Sequence, residues 1–98
     1  MEISTDDQGT IIFKGNLVVT NIESIHSEIE SFLEDSSRNI TLDLSQVDEI
    51  DIAGLQLLYS LKKTFENDGA LHILAINQSI RDIIDLSGFN VPLKETLP

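Results

Sequence analysis

Cysteine is absent from the 98 residues, which excludes disulfides, thiolate chemistry and cysteine-ligated zinc. Basic residues are scarce: six lysines and arginines stand against seventeen aspartates and glutamates, a formal charge of −11. A surface of that sign repels phosphate backbones and anionic membranes, so neither nucleic acid nor a lipid surface is expected as a partner. It suits solubility or a basic protein partner. No stretch approaches the roughly 20 apolar residues needed to cross a bilayer. The opening Met1-Glu2-Ile3-Ser4-Thr5 shows neither a basic nor an apolar leader segment, so direct membrane insertion is not expected and a cytoplasmic location is.

What is present is a globular pattern. Hydrophobic residues make up 41%, too many for a disordered chain, and the length suits one domain over residues 1–98. Glu2 to Thr5 and Ile11 to Phe13 read as short paired strands across an Asp6-Asp7-Gln8-Gly9 turn. Ile22, Ile25, Ile29, Phe32 and Leu33 recur at helical spacing, with Thr20 and Glu23 as a capping box and an end near Asp35-Ser36-Ser37. Ile40, Leu42 and Leu44 alternate with Thr41, Asp43 and Ser45 as a strand. A short acidic loop follows, anchored by Val47 and Ile50. A second helix runs from about Ala53 to Asn67 on a stripe of Leu55, Leu58, Leu61 and Phe65, beside Leu57, and stops at Asn67-Asp68-Gly69. Leu71, Ile73, Leu74 and Ile76 form the next strand. Asn77 caps a third helix carrying Ile80, Ile83, Ile84 and Leu86, which Gly88 ends. Beyond it the tail is poorly specified. Strands alternating with helices imply a mainly parallel α/β sheet.

No catalytic constellation emerges. His26 and His72 fall in different elements without neighbours at ligand spacing. No Gly-rich phosphate loop or nucleophile elbow appears. Asp43, Asp48, Glu49 and Asp51 could together offer oxygen ligands to Mg²⁺, but the plainer reading puts Asp43 off the strand face and makes Asp51 the cap of the second helix. Neither enzyme activity, metal nor cofactor is expected. The β-to-α junction at Asp51-Ile52-Ala53-Gly54 is where open α/β sheets meet their ligands and partners. Its small residues permit close approach. Ile52 is unusual at a helix start, and either tucks inward beside Ile50 or projects as a contact residue.

Ile40-Thr41-Leu42-Asp43-Leu44-Ser45 followed by Asp51-Ile52-Ala53-Gly54-Leu55 resembles the STAS family, shared by anti-sigma factor antagonists and sulphate transporters. Supporting matches are Gly15-Asn16-Leu17, Asn77-Gln78-Ser79 and Leu86-Ser87-Gly88-Phe89, so the likeness runs from about Thr10 to Phe89. It implies a STAS-like α/β fold: a mixed, mainly parallel sheet of four to five strands with three to four helices. It also implies a protein-interaction role in signal transduction and transcription regulation. In antagonists of this type a kinase phosphorylates the hydroxyl residue after the aspartate, and the phosphate expels the partner. Here that position is Ile52, which has no hydroxyl. Asn16 is a second departure, standing where the family often carries glutamate. The expected partner surface is the start of the second helix with the loop from Gly15 to Thr20, namely Asn16, Thr20, Asp48, Asp51, Ile52, Ala53, Gly54 and Gln56. The expected partner is an anti-sigma factor or kinase-like protein. The stretch Ala53-Gly54-Leu55-Gln56-Leu57-Leu58 also resembles STAS proteins of chemotaxis systems and of lipid-transport ABC complexes, in which this chain would be a permanent small subunit.

Overall fold

Among the described residues, four strands build a single sheet. The computed structural model describes residues 1–33, 39–65 and 70–98. Its elements are β1 (Glu2–Thr5), β2 (Ile11–Leu17), a 3₁₀ turn (Val19–Asn21), α1 (Ile22–Leu33), β3 (Asn39–Ile50), α2 (Ile52–Phe65), β4 (Ala70–Ile76) and α3 (Gln78–Ser87). The strands lie in the order β1-β2-β3-β4. β1 is antiparallel to β2, and β2, β3 and β4 are parallel. This is the mixed, mainly parallel α/β sheet that the family resemblance implied. The tight β1–β2 hairpin closes on Asp6, whose Oδ1 accepts the amides of Gln8 and Thr10 at 2.9 Å each.

One face of the sheet is packed. Ile11, Phe13, Leu42, Leu44, Leu71 and Ile73 are buried on it. The two crossovers, through α1 and α2, step the same way across the sheet, so right-handed connection puts both helices on that face. Ile25 and Ile29 of α1, Leu55, Leu58 and Leu61 of α2, and Ile80 and Ile84 of α3 complete the same core. The opposite face, with Ser4, Ile12, Thr41, Asp43 and His72, is only half-buried or exposed.

Four features differ from the expectation. The acidic segment after Ser45 is strand rather than loop: β3 continues to Ile50. It does so by bulging, since Ile12 and Lys14 face Asp43 and Gln46, and Gly15 and Asn16 face Val47 and Glu49. Each bulge adds a residue to β3 and keeps Val47 and Ile50 turned inward. β2 likewise runs through Gly15, which lies at φ +119; a residue with a Cβ is strained there. The Thr20 capping box does not form. Thr20 is exposed within the 3₁₀ turn, and the extended Val18 ahead of it makes no side-chain cap. Asn21 ties the turn down instead, donating from Nδ2 to the Asn16 carbonyl at 2.9 Å. Leu74 and Leu86, expected among the apolar positions of β4 and α3, are 59% and 88% exposed. Leu74 follows the core-facing Ile73, so alternation along the strand turns it to the open face, where a bulge (Leu42 faces Ile73 and Asp43 faces Ala75) leaves it without a partner.

The tail is specified after all. Leu93 is fully buried, the Ile73 amide donates to the Thr96 carbonyl at 2.8 Å, and Lys62 Nζ donates to the Pro92 carbonyl. The segment supplies one acceptor, the Thr96 carbonyl, to the outer edge of β4. Leu93→Ala is expected to destabilise the domain by about 2–3 kcal/mol, readable as a fall in Tm of about 4–8 °C per kcal/mol. An unchanged Tm would remove the tail from the core. The anticipated helix ends at residues 35–37 and 67–69, and the side chains of Phe32, Leu33 and Phe65, lie outside the described residues.

Candidate functional site

The C-terminal ends of β2 and β3 meet the start of α2 at one corner. Ile50 is buried and pairs with Leu17. Asp51 leaves the strand, its amide donating to the Leu17 carbonyl at 3.3 Å, and its own carbonyl accepts the Leu55 amide at 2.9 Å to open α2. The Asp51 carboxylate spans the corner. Oδ1 accepts the Gly54 amide at 3.0 Å, and Oδ2 accepts the Val19 amide, 32 residues away in sequence, at 2.9 Å. One side chain thus caps α2 and fixes the 3₁₀ turn that leads into α1. The Val19 amide is the largest influence and holds this carboxyl below its ordinary value; burial, next in size, opposes it, and the amides of Gly54, Ala53 and Asp51 itself add to the lowering.

Gly54 is where α2 touches the sheet. A Cβ there would stand 2.8 Å from Ile50 Cγ1 and nearer still to the Leu17 carbonyl oxygen. Two residues earlier is about 200° round the helix, so with Gly54 held inward Ile52 turns outward. Ile52 is 56% exposed, which rejects the inward placement. Val19, held by Asp51, is 66% exposed. Two aliphatic side chains therefore stand in solvent on either side of the Asp51 bridge.

The structure brings Asp51, Ile52, Ala53 and Gly54 together with the 3₁₀ turn bearing Thr20. Asn16 is half-buried beside Glu49 in the β2–β3 ladder, and Asp48 is the exposed extra residue of the adjoining bulge. Gln56 is exposed one turn further along α2. Val19 was missed by sequence reasoning. Its signal was an apolar Val18-Val19 pair in a stretch without strand or helix period.

Among the described residues no three His, Asp or Glu side chains group as metal ligands. Asp43 is engaged by Ser45, whose Oγ donates to Oδ1 at 2.6 Å. His26 lies on α1 and His72 on β4. No described helix is long and apolar enough to cross a membrane.

Asp51→Ala should cost about 1–2 kcal/mol, because the α2 cap and the Val19 tether are lost together. The carboxyl is depressed in the folded state, so its contribution is full above the unfolded value of about 3.8 and disappears as the pH falls through the folded value. Chemical denaturation at pH 7 and at pH 2–3 would check it: the difference between wild type and Asp51→Asn should shrink in acid. A difference that persists there would assign the effect to packing.

Among the described residues, a mixed four-stranded sheet, three helices and a strand-to-helix corner of this build define an α/β domain. The crystal structure of an anti-sigma factor antagonist from Mycobacterium paratuberculosis superposes with a TM-score of 0.73 over 99% of this chain and 80% of that one, at 20% identity, a likeness of fold. The chain belongs to the STAS domain family, whose pattern matches residues 2–97. It is also 27% identical over 70 residues to the Bordetella bronchiseptica protein named "Putative anti-sigma factor antagonist BtrV". That match takes in 70% of this chain and 60% of the length of the Bordetella protein.

Proposed function

We propose that this STAS domain is a non-enzymatic interaction module of the cytoplasm, and that it docks a protein partner through the corner of Val19, Asp51, Ile52 and Gln56, with Asn16, Thr20, Asp48, Ala53 and Gly54 shaping or flanking it. The partner is of the anti-sigma factor or kinase-like kind. The observation that carries this reading is the exposure of Ile52 on the first turn of α2. A projecting hydrocarbon offers apolar contact area on association. It occupies the position where the family's phosphorylated relatives carry a hydroxyl, so the surface cannot be turned off there by phosphate.

The same side chain suits a second reading, a permanent small subunit of an ABC transporter or chemotaxis complex, where a phospho-switch has no use. Co-purification in a fixed ratio would favour it over reversible docking.

The test of the missing switch is direct. The chain, its Ile52→Ser variant and the serine kinase encoded nearest to its gene are incubated with ATP and weighed by intact-protein mass spectrometry. Only the variant should gain phosphate. Stoichiometric phosphate on wild type, at Ser45 or Ser60 for example, would defeat the proposal.

A further inference from the structure

A groove unrelated to the β2–α2 corner lies between α3 and the turns that follow Gly88. It is open to solvent along one side, holds about 480 Å³ and is lined by Arg81, Asn90, Val91, Lys94, Leu97 and Pro98. That size falls within the range of small-molecule sites. Its lining is chemically divided. Half-buried Leu97 and exposed Val91 and Pro98 supply an apolar side, Val91 standing 74% in solvent. Arg81 and Lys94 supply two cations, and Asn90 an amide. Such a pairing is uncommon in this chain, which has only six basic residues against seventeen acidic ones. A third, Lys62, is occupied at the edge of the same segment by the Pro92 carbonyl.

Arg81 lies at the surface and already faces one carboxylate, that of Asp85. Its Nε meets Asp85 Oδ1 at 3.4 Å, one turn along α3. That contact uses a single donor and leaves the two Nη groups of the fork, which match the two oxygens of a carboxylate. The floor beneath is rigid, because Leu93 is fully buried and the Leu93 and Leu97 amides are bonded to the Phe89 and Leu93 carbonyls, at 3.0 Å each.

We propose that this groove binds a small organic anion with an aliphatic body, the acid group held between Arg81 and Lys94 and the hydrocarbon laid on Val91 and Leu97. The rest of the molecule repels anions, so affinity depends on those two cations acting at short range.

Octanoate serves as the probe, followed by amide ¹⁵N–¹H shifts of the full chain, with octanol as its uncharged counterpart. Saturable shifts confined to residues 81 and 90–97 are expected with octanoate, and much weaker ones with octanol. R81Q and K94Q should each weaken octanoate binding by roughly tenfold or more. The exposed L86Q, outside the groove, should not. Equal response to octanol, insensitivity to both charge variants, or absence of saturable shifts up to millimolar octanoate would each overturn the assignment. Shifts at Val19 and Ile52 instead would overturn it too, while leaving the partner corner as a separate question.

Discussion

Gly54→Ala is expected to remove most of the stability of the fold. The added methyl would fall within 2.8 Å of Ile50 Cγ1 and closer to the Leu17 carbonyl. Neither can yield cheaply. Leu17 is fully buried strand backbone, and Ile50 is its partner in the ladder. The helix must therefore lift from the sheet, which breaks the Asp51 bridge and exposes Leu55 and Leu58. Overpacking against backbone of this kind belongs to the severe class, about 4 kcal/mol or more, out of a total that for domains is about 5–15 kcal/mol. Circular dichroism against urea would measure it. A loss below about 1 kcal/mol would show that α2 can start elsewhere, and the corner described above would not be its rigid origin. Alanine is ordinarily the better helix residue by about 1 kcal/mol, so the sign of the change separates propensity from contact.

Ile52→Glu should leave the fold almost unchanged and weaken partner binding. The side chain stands outside the core, so substitutions there fall within about 0.5 kcal/mol of stability; a glutamate in the first turn even complements the helix dipole. At an apolar contact the same carboxylate must be desolvated without a counter-ion, costing about 2 kcal/mol or more, roughly thirtyfold in Kd. Biosensor titration of the proposed partner, an anti-sigma factor or kinase-like protein, would read it, with Ile52→Val as the conservative control. Equal affinity for all three proteins, with Tm unchanged, would move the docking surface away from this corner.

Local chemistry made much of this architecture legible. Ile40, Leu42 and Leu44 alternate because one face of β3 packs on helices and the other does not, and Asn77 caps α3 by accepting the Ile80 amide at 3.0 Å, a bond made within four residues. The misjudged parts share a cause. β3 was cut at Ser45 because Gln46 to Glu49 break the two-residue period, and they break it because bulges add residues to hold Val47 and Ile50 inward. The turn ahead of α1 is held not by Thr20 but by Asn21, whose side chain donates to the Asn16 carbonyl on the preceding strand. Leu93 lay in a segment without any period, because what buries it is an irregular turn closing a sheet edge.

By itself, then, the chain's residue order dictated the order of strands and helices, a mainly parallel α/β class, and the acidic, cysteine-free character that narrows the chemistry. It also dictated that a hydrocarbon follows Asp51. Whether that hydrocarbon faced water or the core was a tertiary matter. It was decided by Gly54 resting on the Leu17 backbone, which sets the rotation of α2, and by Asp51 reaching Val19 across the corner. Both contacts join segments more than thirty residues apart, and periodicity along one segment carries no information about them.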